Sequence, residues 1–127
     1  MEITDRDVYD GLLLRLIIHS IIEQQFQAFQ TDNSEAAFAL ASPDIQAQFQ
    51  TPENFMKMVK TGYSPVYRPR SVLFETITTI QGNITQSILL LSPDGNPVRA
   101  MYLMKKQPDQ TWKINGCFLV PVAVEII

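Results

Sequence analysis

Two residue types that usually build reaction centres are almost absent: the 127-residue chain has one cysteine, Cys117, and one histidine, His19. A single thiol excludes an internal disulfide and fits a reducing compartment. A single imidazole excludes a histidine-based metal cluster and leaves serine or cysteine without an oriented base near the end of the chain. No metal and no cofactor are therefore expected. Charge of one sign is scarce too, with 10 Lys and Arg against 13 Asp and Glu and no run of like charges. That disfavours a phosphate-backbone face, so no nucleic-acid partner is expected. The short basic pairs Arg68 with Arg70 and Lys105 with Lys106 read as solvated strand ends. The apolar segments are too interrupted for a membrane span. Glu2, Asp5, Asp7 and Asp10 stand where a secretory signal needs positive charge, so the expected location is cytoplasmic.

What is present suits one folded core. Hydrophobic residues make up 46% of the chain and charged residues 18%, too apolar for disorder at a length typical of a single domain. No repeat or low-complexity tract interrupts it.

The first half reads as helices. Thr4 with Asp7 forms a capping-box pattern, and apolar positions run from Val8 through Leu12, Ile18, Ile22 and Phe26 to Phe29, with a stop near Thr31. Asp32 with Glu35 offers a second start. Ser42-Pro43 and Thr51-Pro52 each put a capping hydroxyl before a proline at the first helical position, where a missing N–H costs nothing. Lys60-Thr61-Gly62 closes the helical half. Pro65 and Pro69 then predict an extended loop from Tyr63 to Pro69, along an edge or across the mouth of the fold.

The second half reads as four strands over 72–80, 84–92, 98–106 and 111–120. Their short turns, Gln81-Gly82-Asn83, Pro93 to Pro97 and Gln107 to Gln110, predict an antiparallel meander. Helices first and strands after imply an α+β fold: N-terminal helices packed on one face of a curved antiparallel sheet.

The chain also has more apolar surface than one layer of helices can cover. From Leu12 to Ile22 only Arg15, His19 and Ser20 interrupt the aliphatic residues, and Arg15, His19 and Glu23 fall on one line at four-residue spacing. In the strands, Ile88 and Leu90 alternate with Leu89 and Leu91, and Tyr102 and Met104 with Met101 and Leu103. Both sheet faces are apolar, so a homodimer or another protein partner is expected on the uncovered sheet face and the first helix.

The segments Ile22-Glu23-Gln24-Gln25-Phe26, Phe38 to Pro43, Phe49-Gln50-Thr51-Pro52, Phe55-Met56, Gly62 to Pro69 and Trp112 to Cys117 resemble an uncharacterised family of short bacterial and plastid-lineage proteins. That family in turn resembles the nuclear-transport-factor-2-like superfamily, the cone-shaped, cystatin-like fold shared with ketosteroid isomerase. The resemblance implies an α+β cone over residues 21–120, preceded by a helical extension over 1–20 and followed by an apolar tail over 121–127. It implies no activity, because that scaffold carries isomerases, dehydratases, ligand binders and interaction modules alike.

Within such a cone Tyr63, Tyr67 and Arg68 are placed near the open end of the cavity. With Tyr102 they are the candidate ligand-binding residues, for a small apolar or anionic molecule. The alternative is that the tyrosines pack against the short helices while Arg68 caps carbonyls. No catalytic residue is assigned. An isomerase or lyase would need a carboxylate inside the cone, and Glu75, with Tyr102 or Tyr67 as partner, is the best candidate if it points inward; otherwise it is a solvent-facing residue of an edge strand. The expected function is a non-catalytic small-molecule-binding or protein-interaction module, with an isomerase or lyase as the alternative.

Overall fold

The computed structural model describes residues 5–123. The expected Thr4 cap and the tail beyond Ala123 lie outside the described residues. Five helices precede four strands: α1 (Asp5–Gln30), α2 (Ser34–Ala39), α3 (Pro43–Phe49), α4 (Pro52–Gly62), α5 (Ser64–Tyr67), β1 (Ser71–Ile80), β2 (Asn83–Leu91), β3 (Pro97–Lys106) and β4 (Trp112–Pro121). The sheet is antiparallel in the order β1-β2-β3-β4 and does not close on itself.

The caps explain the helix starts. The Ser42 hydroxyl accepts from Ile45 N–H and the Thr51 hydroxyl from Asn54 N–H, each with proline in the first turn. For α2 the cap is Asn33, whose side chain accepts from Ala36 N–H. Asp32 instead takes φ 52°, the left-handed turn that ends α1, a conformation that Asp tolerates better than most residues.

The stretch from Tyr63 to Pro69 is not the extended loop that its prolines suggested. Residues 64–67 form one more helical turn, since Pro65 falls in the first turn, where its absent N–H has no intrahelical acceptor to lose.

The core lies between the helices and one face of the sheet. Ile18, Ile22, Phe26 and Phe29 form the buried stripe of α1 and share one core with Phe55, Met56 and Val59 of α4, the Phe29 and Phe55 ring centroids lying 6.4 Å apart. From the sheet come Ile88, Leu90, Ala100, Tyr102, Met104 and Ile114. Two bulges keep these faces in phase. Phe74 pairs with Ile88 and Ile77 with Gln86, so Glu75 and Thr76 together oppose Ser87, and both Phe74 and Ile77 pack on the core. In β4 the register slips between Gly116 and Ile114, which frees Asn115 to bond outside the sheet. The Gln81-Gly82 hairpin has both φ values positive, at 49° and 81°, the tight turn whose twist matches its strands.

The opposite face of the sheet carries Leu73, Leu89, Leu91, Met101, Leu103, Phe118 and Val120, and no helix covers it among the described residues. Leu73 is 59% and Phe118 41% exposed. Leu12, Leu13, Leu16 and Ile17 near the start of α1 are also exposed.

Candidate ligand cavity

A cavity of about 320 Å³ opens between α1, α3, α4 and the helix-facing side of β3 and β4. Its walls are chiefly apolar, with Phe29 from α1, Ile45 and Phe49 from α3, Phe55 and Val59 from α4, and Ile114 from β4. Each wall follows from local sequence. Gln25 and Phe29 sit one helical turn apart on the buried stripe of α1, so both reach the cavity. The Ser42 cap anchors α3: Ser42 N–H donates to Ile114 O at 2.8 Å, Ile114 N–H to Leu40 O at 2.9 Å, and Ser42 Oγ to Asn115 Oδ1 at 2.7 Å. These bonds clamp the start of α3 to the end strand, with Ala41 and Ile114 both in the wall.

Five polar side chains line the space: Gln25, Gln48, Tyr63, Tyr102 and Cys117. Gln48, exposed on α3, marks the outer end. Tyr63 Oη donates to the Cys117 carbonyl at 3.1 Å, which ties the end of α4 to β4. Tyr102 is fully buried, its ring edge-on to Phe26 with centroids 6.1 Å apart, and its hydroxyl has no hydrogen-bond partner among the described residues. Burial raises the pKa of both tyrosines, that of Tyr102 well above the ordinary value, with Cys117 adding to each. Burial also pushes the Cys117 thiol up to about 12. All three groups therefore stay protonated at neutral pH, and among the described lining residues there is no Asp, Glu, His, Lys or Arg.

The four candidate ligand residues thus fall into two places. Tyr63 and Tyr102 line the cavity; Tyr67 and Arg68 do not. Tyr67 Oη donates to Asp32 Oδ1 and Arg68 pairs with Asp32 Oδ2 at 3.2 Å. Lys60 approaches the same carboxylate at 3.5 Å, and both cations lie over the Tyr67 ring. The hydrogen bond from Tyr67, followed by the nearby Lys60 and Arg68 charges, holds the Asp32 pKa below its usual value. This cluster fastens the end of α1 to α4 and α5.

Glu75 lies on the uncovered face of the sheet. Its carboxylate receives two bonds from Arg99, at 2.7 and 3.1 Å, and one from Ser87 Oγ at 2.9 Å. The Arg99 bond chiefly lowers its pKa, the reverse of what a base in an apolar cavity requires. The His19 ring lies tilted against Phe74 with centroids 4.2 Å apart, outside the cavity lining, and its Nε2 is buried without a partner among the described residues.

Gln25 is not among the candidate residues read from the sequence. The signal was available: 18, 22, 25 and 29 are successive positions of one helical stripe. Gln86, fully buried on β2, stands at the two-residue spacing of Ile84, Ile88 and Leu90 on the core face; its Nε2 bonds the Glu75, Thr76 and Ser87 carbonyls around the β1 bulge.

Among the described residues no group of three or more potential metal ligands comes together, and no helix is long and apolar enough to cross a membrane. Among curated proteins and among solved structures nothing matches the chain. A family model does match, across residues 15–126, a span that takes in the cavity and the whole sheet, and on that match the chain belongs to the family described as Domain of unknown function (DUF4864).

Proposed function

We propose that this protein is a small-molecule-binding module whose ligand occupies the cavity between α1, α3, α4 and the sheet. The observation that carries the reading is an apolar cavity lined by Tyr102, whose fully buried hydroxyl has no partner among the described residues. Apolar walls with a few directed polar groups are the usual make-up of small-molecule sites, and 320 Å³ falls at the lower end of their range of roughly 300–1,000 Å³. The lining favours binding over turnover, because no group in it is an anionic base at neutral pH. The order of helices then antiparallel strands supports a nuclear-transport-factor-2-like cone, and a lone unpaired thiol supports a reducing, cytoplasmic location. The test is native mass spectrometry of the protein purified from its own host. Retention of one small molecule that Phe55→Trp, filling the cavity, abolishes is the expected result; a ligand-free protein whose melting temperature responds to no member of an apolar fragment library would refute it.

A second observation favours self-association. The uncovered sheet face is apolar, and an ion pair on it, Glu75 with Arg99, neutralises itself within the face. Four strands of nine or ten residues span roughly 30 by 20 Å, about 600 Å² per protomer. Two such faces bury about 1,200 Å², the low end for a stable pair. The occupant proposed is a second copy of this chain. Phe118→Glu, at an exposed position where folding is not at stake, should shift sedimentation from dimer to monomer. A wild-type protein that is monomeric at every concentration would sink this reading.

A further inference from the structure

We propose that the cavity selects an uncharged, mostly apolar molecule carrying one hydrogen-bond acceptor, which it presents to the Tyr102 hydroxyl and the Gln25 amide. The proposal rests on the ligand-binding reading above. Tyr102 is 0% exposed and lines the cavity, yet its hydroxyl has no partner among the described residues. Buried phenols normally find one, and an unmade bond of this kind is destabilising. A ligand atom in the cavity would complete it. Because burial holds Tyr102 well above its ordinary pKa, the hydroxyl is a donor and not a phenolate.

Gln25 supplies the second contact. It is 3% exposed, lines the same cavity, and no hydrogen bond from its amide is found among the described residues. A ligand carbonyl can accept from both Tyr102 Oη and Gln25 Nε2, while a ligand hydroxyl can accept from Tyr102 and donate to Gln25 Oε1. Charge decides against the other heads. No cation is among the described lining residues, and Lys60 and Arg68 are committed to Asp32 outside the cavity. A carboxylate in the cavity would lose its hydration with no counter-charge, and an ammonium would meet no carboxylate. The body of the ligand faces phenylalanine and aliphatic side chains, and the volume suits one ring with a short chain.

Three probes that share a phenylalkyl body separate the terms: 4-phenylbutan-2-one, 3-phenylpropanoate and butylbenzene, titrated against the full chain at pH 7 by ligand-observed NMR. The ketone should bind about tenfold tighter than the carboxylate. Tyr102→Phe should weaken the ketone about fivefold, leave butylbenzene unchanged, and raise the melting temperature of the ligand-free protein, since an unsatisfied buried hydroxyl has been removed. Gln25→Met should reduce the preference for the ketone over butylbenzene in the same direction. Equal binding of ketone and carboxylate, or a Tyr102→Phe variant with unaltered ketone affinity, overturns the ligand class while the cavity reading stands. A Tyr102→Phe chain that fails to fold also overturns it, because the hydroxyl would then serve the fold. Failure of all three probes to bind the wild type sinks the ligand-binding reading and this one with it.

Discussion

Replacing Ser42 by Ala tests whether the cavity wall is held by the clamp described above. Ser42 is fully buried, and its hydroxyl does two things at once: it accepts from Ile45 N–H at 3.3 Å as the cap of α3 and donates to Asn115 Oδ1 at 2.7 Å. Loss of a serine cap costs about 1 kcal/mol. The Asn115 carbonyl, half-buried on the β4 bulge, loses its donor, which adds about 1 kcal/mol. The backbone bonds between Ser42, Leu40 and Ile114 do not depend on the side chain and should survive. The expected total is therefore about 2 kcal/mol, which in a domain of this size lowers the melting temperature by roughly 5–10 °C. Urea unfolding should show a lower midpoint with an unchanged slope, since no extra surface is exposed in either state. Thr51→Ala is the control: it removes the same kind of cap on α4 without a long-range partner and should cost no more than about 1 kcal/mol. A cycle with Asn115→Ala should return a coupling of about 1 kcal/mol. If Ser42→Ala costs no more than Thr51→Ala, or the cycle shows no coupling, the clamp does not hold the wall.

Other outcomes follow from the same geometry. With its thiol pushed from 9.0 to about 12, native Cys117 should react with iodoacetamide about a thousandfold more slowly than in the denatured chain; a native rate within tenfold of the denatured one would place it outside a dry wall. Phe29→Ala should enlarge the cavity and cost about 3–5 kcal/mol, measured by denaturation, and a loss below about 1 kcal/mol would mean that the stripe of α1 is not packed as described. Glu75 has a folded pKa below its unfolded value, so its contribution is present above the unfolded pKa and is lost as pH falls through the folded one. Glu75→Gln should flatten the acid limb of stability against pH, and an unchanged limb would remove Arg99 from the account.

Much of the fold was legible because its signals are local. Ser42-Pro43 and Thr51-Pro52 start helices through bonds that span three residues, and Gln81-Gly82 turns a hairpin through its own φ angles. The alternation in Ile88 to Leu91 fixes two sheet faces whatever the partner. Tertiary structure decided what these faces meet. Neighbours in sequence, Tyr67 and Arg68, were drawn to Asp32 at the end of α1, because a turn of helix, not an extended loop, aims them there. Tyr63, only four residues earlier, faces the cavity. The bulge at Glu75 and Thr76 let Phe74 and Ile77 both reach the core and left the Glu75 carboxylate on the uncovered face beside Arg99, 24 residues away in the chain. Gln25 and Tyr102 are polar groups whose burial depends on walls supplied by α3, α4 and β4. Caps and turns are chosen by bonds among near neighbours; a cavity and its unpartnered hydroxyl exist only where distant elements close around them.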